Sequence, residues 1–182
     1  MNKVFDARRL DVKAFAEEAG KISASDRLET YPRLMAETGG RGADTALNWS
    51  AAGELHNPKH LHPEIWLRLR ARTVLPLTCQ RCLAPVEVAV EVERPFRFVA
   101  DENSALAGDD SSEVDLLALS RNFDLVELIE DELLMDMPVA PRHEVCPEPV
   151  KLAVADDDFE PESAERANPF ALLQHFKPGK PG

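Results

Sequence analysis

Aromatic residues are scarce in this chain, with one tyrosine (Tyr31), two tryptophans (Trp49, Trp66) and eight phenylalanines among 182 residues. No apolar run approaches the roughly 20 residues that a bilayer-spanning helix needs, so no membrane association is expected. Asp6 and Asp11 stand where a secretory leader needs its apolar core, which predicts a cytoplasmic protein. Bulk positive charge is lacking as well. The chain carries 33 acidic against 21 basic side chains, a formal net charge of −12, which argues against holding nucleic acid by net charge alone. Also missing are a Ser/His/Asp arrangement, a Gly-rich phosphate loop, an HExxH helix and a paired-carboxylate motif. That set of absences predicts neither an enzyme nor a small-molecule substrate. The length suits one domain with a tail better than two domains.

The acidity is concentrated. Residues 1–100 hold 15 basic and 13 acidic side chains, whereas residues 101–165 hold 20 acidic side chains and three basic ones, Arg121, Arg142 and Lys151. A block with a net charge of −17 is either disordered or faces something basic.

Two segments alternate with period 2. Ile65, Leu67, Leu69 and Ala71 share one face of the first, with Trp66, Arg68, Arg70 and Arg72 opposite; Val86, Val88, Val90 and Val92 share one face of the second, with Glu87, Ala89, Glu91 and Glu93 opposite. Both read as half-buried strands. A hairpin centred between Gln80 and Arg81 sets Arg70 against Glu91 and Arg68 against Glu93. A shift of two residues would keep the same faces together, whereas a slip of one would set arginines against valines.

Asp11 can cap a short helix running to Ala19, with Gly20 as its left-handed terminus. Thr45 to Ser50 reads as a further strand, and residues 101–115 as an acidic loop. Asp124, with Glu127 three residues on, opens a helix that Pro138 stops. Leu125, Val126, Leu128, Ile129, Leu133 and Met137 give this helix an apolar face, and Glu127, Glu130 and Asp131 an acidic one. The expected architecture is α+β: an antiparallel β meander with a CxxC turn, packed by one main helix, over residues 1–150. Residues 151–182 read as a flexible acidic linker, ending in a short helix that Asn168 caps and Pro169 opens. Phe170, Leu173 and Phe176 of that helix must dock on something, in cis or on a partner.

Cys79 and Cys82 form a CxxC at a strand-to-strand turn. A redox CxxC normally sits at a helix N-terminus, and here only Arg81 is near to favour a thiolate. A structural zinc site needs four ligands. His143 and Cys146 supply an HxxC half-site, so Cys79, Cys82, His143 and Cys146 could hold zinc if hairpin and loop meet. The alternative is that the two turn cysteines are merely small buried side chains. His56, His60 and His62 lack a carboxylate or cysteine at ligand spacing and read as loop residues. The row Arg68, Arg70 and Arg72, extended by Arg81, Arg94 and Arg97, could bind RNA phosphate; the competing role is cross-strand pairing with glutamates, or with Glu132 and Asp136 of the helix.

Several of these elements occur together in a known order: Cys79-Gln80-Arg81-Cys82-Leu83 after a strand, Asp124-Leu125 opening a helix that ends at Pro138, Pro141-x-His143, and Asn168-Pro169-Phe170-Ala171. From about Trp49 to Lys177 the chain resembles the YceD-like family, also called the large ribosomal RNA subunit accumulation protein family. The resemblance implies a bacterial cytoplasmic factor needed for normal accumulation of large-subunit (23S) rRNA, with relatives in plastids and no catalytic activity. The charge map adds two partner readings. A basic large-subunit ribosomal protein could bind the acidic surface that includes Glu127, Glu130 and Asp131. Pre-rRNA could instead contact Arg94 and Arg97. The alternative class is a zinc-stabilised or thiol-redox protein-interaction module.

Overall fold

The computed structural model describes residues 4–61, 63–109 and 111–148. The expected acidic linker and the anchor residues Phe170, Leu173 and Phe176 lie outside the described residues. In chain order the elements are α1 (Val12–Glu17), β1 (Lys21–Arg27), a 3-10 turn (Leu28–Thr30), α2 (Pro32–Glu37), β2 (Ala46–His56), β3 (Glu64–Thr78), β4 (Pro85–Val99), α3 (Glu102–Asp109), β5 (Asp115–Ala118) and α4 (Leu125–Asp136). The five strands form one sheet in sequence order. The fold is α+β, but the sheet is mixed: β1 to β4 are antiparallel neighbours and β5 runs parallel to β4. A parallel neighbour needs a crossover, and the segment read as an acidic loop supplies one. It contains α3, at whose start the Asp101 carboxylate accepts the Ser104 N–H at 2.8 Å.

The β3–β4 hairpin forms with its faces as the alternation dictates, but two residues away from the expected register. Arg70 faces Glu93, Arg72 faces Glu91 and Arg68 faces Pro95. The turn explains the shift. Leu83 adopts φ 62°, its N–H donates to the Cys79 carbonyl, and the Cys79 N–H donates to the Ala84 carbonyl, both at 2.9 Å. This knuckle moves the hairpin centre between Arg81 and Cys82. Because the shift is even, the apolar set is unchanged.

One sheet face is the core. Leu47, Leu67, Leu69, Leu75 and Phe96 are buried on it, together with Phe15 of α1 and Leu125, Ile129 and Leu133 of α4. Asp11 caps α1, its carboxylate accepting the Ala14 N–H at 3.1 Å. The left-handed residue after α1 is Ala19 (φ 47°) rather than Gly20. Gly20 answers a steric need instead: a Cβ there would lie 2.3 Å from the Phe15 ring, and one at Gly53 would lie 2.8 Å from the Phe15 carbonyl. The opposite face of β1 to β4 carries Ser23, Asn48, Arg68, Arg70, Arg72, Glu91 and Glu93, all exposed, with Ser50 and Ala52 half-buried between them, and no described helix covers it.

Candidate metal centre

The hairpin tip carries Cys79 and Cys82 on the knuckle just described. At the other end of the domain's chain, Asp124 caps α4 through the N–H groups of Val126 (2.9 Å) and Glu127 (3.1 Å). The helix ends before Pro138, and residues 139–148 return to the hairpin tip. Backbone and side chain join the two segments. The Gln80 N–H donates to the Pro141 carbonyl at 2.8 Å. The Arg81 guanidinium donates to the carbonyls of His143 (2.9 Å) and Glu144 (3.3 Å) and, through Nε, to Cys146 Sγ (3.1 Å).

His143 Nε2 lies 2.9 Å from the Pro85 carbonyl, which can only accept. The ring proton therefore sits on Nε2, and Nδ1 presents its lone pair 3.4 Å from Cys82 Sγ. The ligand atoms of Cys79, Cys82, His143 and Cys146 all lie within 4.8 Å of one another. Tetrahedral zinc, with Zn–S near 2.3 Å and Zn–N near 2.0–2.1 Å, sets ligand-to-ligand edges of roughly 3.5–3.8 Å. The four donors fit a small thiophilic cation with little adjustment.

The electrostatics have the same sense. Burial pushes the Cys79 thiol up, but backbone hydrogen bonds from Cys82, His143 and Arg81 outweigh it and lower Cys79 to about 5. At Cys82 the hydrogen bond involving Ala84 favours the thiolate; burial and the crowding sulfurs of Cys146 and Cys79 prevail and raise it. All three cysteines are free. Three sulfurs this close cannot all ionise unless a cation sits among them, because like charges disfavour one another. Cys79 is buried at the end of a strand and not at a helix N-terminus, so the arrangement lacks the usual device of a redox CxxC.

The other residues singled out from the sequence are dispersed. Glu127 is exposed at the first turn of α4. Glu130 is 6% exposed. Its Oε1 accepts the backbone N–H groups of Arg33 (2.7 Å) and Leu34 (3.2 Å), and its Oε2 accepts Arg33 Nε (2.9 Å). Asp131 pairs with the same guanidinium. The supposed acidic face of α4 is thus partly consumed in holding α2. His56 stacks on Trp66 with ring centroids 5.1 Å apart and lies 3.0 Å from Glu54.

Arg94 and Arg97 fall on opposite faces of the sheet. Arg97 is opposite Trp66 on the open face, while Arg94 shares the core face with Val92 and Phe96. Its Nε lies 3.1 Å from Oε2 of Glu132, a side chain 3% exposed, and its Nη1 lies 3.8 Å from Asp115. The alternation of β4 already places Arg94 among the valines. The Glu132 contact is ionic, since Oε2 accepts no hydrogen bond from a described residue. Burial holds the Glu132 carboxyl above the usual carboxylate range; Arg94 opposes this, and Asp115, Asp131 and Asp136 add to it. A raised folded-state value stabilises the fold below the unfolded-state value, and that contribution is lost as pH rises through the folded one. Glu132→Gln should therefore gain on the wild type as pH is raised from 4 to 7, within about 1–2 kcal/mol. Urea unfolding at both pH values checks this; a variant that loses stability relative to the wild type between pH 4 and pH 7 would contradict it.

The family model described as "Large ribosomal RNA subunit accumulation protein YceD" matches residues 67–177. A curated Haemophilus influenzae protein, called large ribosomal RNA subunit accumulation protein YceD, is 26% identical over 164 residues, covering 85% of this chain and 90% of that one. No solved structure matches. The matched region contains both cysteine-bearing half-sites.

Proposed function

The chain belongs to the large ribosomal RNA subunit accumulation protein (YceD) family, and from that membership we propose that it is a non-enzymatic, cytoplasmic factor supporting accumulation of 23S rRNA during biogenesis of the large ribosomal subunit. The observation that carries the reading is the family match across residues 67–177, which takes in most of β3, the knuckle, α4 and the returning loop. No described helix is long and apolar enough to cross a membrane.

In this reading the Cys79, Cys82, His143 and Cys146 group holds a structural zinc ion. Bound there, the metal would neutralise the clustered thiolates and cross-link the hairpin tip to the loop after α4. The protein's own part is to fix the donors: the Pro85 carbonyl sets the His143 tautomer, and Arg81 balances the sulfur charge while gripping the loop backbone. The partner is a large-subunit ribosomal protein or 23S pre-rRNA. The acidic block of residues 101–165 supports the first, although Glu130 and Asp131 are already engaged by Arg33.

The test is genetic. A host lacking its own family member should show a reduced 23S to 16S rRNA ratio, and expression of this chain should restore it. A ratio that falls in the deletion strain and stays low despite full expression would refute the assignment.

A further inference from the structure

We infer that the open face of the sheet is a single-stranded RNA groove in which Arg68, Arg70 and Arg72 hold successive phosphates; the choice of RNA rests on the family reading above. The groove is a property of the strands' side-chain sizes. Ser23, Ser50 and Ala52 of β1 and β2 are small and leave a shallow trough, and Lys21, Arg68, Arg70 and Arg72 stand along it. The three arginines occupy alternate residues of β3 and so recur about every 6.6 Å on one face. That repeat is comparable to the phosphate spacing of an extended nucleic-acid strand, and a guanidinium fork suits a phosphate.

The carboxylates on the same face do not close it. Glu54 lies 3.3 Å from Arg68, and Glu93 lies 2.6 Å from Arg70, with every partner at least one-third exposed. Exposed pairs of this kind are weak and salt-screened, so a phosphate can take the place of a carboxylate. Arg72 stands opposite Glu91 but forms no ion pair with a described residue. At one end the His56 imidazole lies on Trp66 at 26° between ring planes, with 46% of its side chain exposed. A stacked, partly exposed ring beside a cationic row is the combination that single strands use, bases on rings and phosphates on cations. A basic protein would instead meet the arginine row with like charge.

The test measures fluorescence anisotropy of the full-length protein with a short labelled single strand of large-subunit rRNA sequence, and with the same sequence as a duplex. The single strand should be preferred, and its affinity should fall with salt at a log–log slope of roughly −2, the value for three phosphate contacts. Arg68→Ala, Arg70→Ala and Arg72→Ala combined should lower affinity about tenfold or more. His56→Ala should lower it roughly tenfold. The triple change could disturb the sheet, so two milder variants carry the decision: Arg72→Ala, which breaks no ion pair, should weaken binding, and the double change Glu91→Gln, Glu93→Gln should strengthen it. Absence of single-strand binding, or binding indifferent to those two variants, overturns the inference. So does a face whose substitutions abolish capture of a large-subunit ribosomal protein while leaving RNA binding intact. Complementation separates the two levels. If the wild type restores 23S rRNA but the RNA measurements fail, the groove is refuted and the family reading stands; if the wild type does not restore it, the family reading falls.

Discussion

Replacing Cys79 by serine should remove the bound zinc, about one ion per chain in the wild type, and lower the thermal midpoint by roughly 10 °C. The size of the effect follows from what else holds the loop after α4. Val139 and Val145 are almost fully exposed and anchor nothing, and Cys146 is only partly buried. Apart from metal ligation, the loop is tied to the hairpin by the Gln80–Pro141 bond, the Arg81 contacts and the His143–Pro85 bond. All of these lie at the surface, where a single hydrogen bond contributes about 1 kcal/mol or less net. A cation shared by four donors stabilises only the state in which they converge, so its loss removes several kcal/mol, roughly 3–5 of them expressed as global stability.

The rest of the domain does not depend on it. Leu67, Leu69, Phe96 and Ile129 pack between sheet and helix without help from the knuckle. Far-UV circular dichroism should therefore change little, while metal content and midpoint fall together. Chelation of the wild type should reproduce the variant's midpoint. The same experiment distinguishes zinc ligation from a redox CxxC: with zinc bound, all three thiols should resist alkylation until chelator is added. Metal-free protein with one fast-reacting thiol and an unchanged midpoint in Cys79→Ser would reverse the assignment.

How much of this was legible in the sequence depends on the range of the forces involved. The β3–β4 hairpin and its faces follow from alternation, because burial of one face sorts side chains with period 2. The start and end of α4 follow from Asp124 and Pro138, whose effects are local. The register does not follow, since the left-handed Leu83 that sets it carries no glycine signal. β1 reads Lys-Ile-Ser-Ala-Ser-Asp-Arg, with short polar side chains on an edge strand and little apolar alternation to detect. β5 has four residues and depends on a crossover through α3, which buries only Ala105 among its described side chains. The half-sites were visible as CxxC and HxxC, but their meeting is a tertiary event. Its agent is Arg81, which reads in the sequence only as a charge near a cysteine.

Glu130 shows the same limit from the other side, and its replacement has the second large effect. From its place on the polar stripe of α4 it resembles Glu127, an exposed carboxylate available to a partner. In the fold it caps a different helix. Tyr31, at the N-cap of α2, makes no side-chain capping bond, and Pro32 occupies the first turn. The next two N–H groups, of Arg33 and Leu34, would be orphaned at a buried site if Glu130 did not accept both. Removing an acceptor strands its donors at about 1–3 kcal/mol each, and here the ion pair with Arg33 is lost too. Glu130→Ala should accordingly cost about 3 kcal/mol in urea unfolding. Glu130→Gln should cost less, because its amide oxygen can still accept from both N–H groups. Glu127→Ala should stay within about 0.5 kcal/mol of the wild type. If Glu130→Ala and Glu127→Ala prove equally mild, Glu130 is a surface residue after all. If the ordering holds, loss of partner capture on mutating Glu130 reports the fold rather than an interface, and the exposed Glu127 and Asp136 are the carboxylates that can test an acidic docking face on α4.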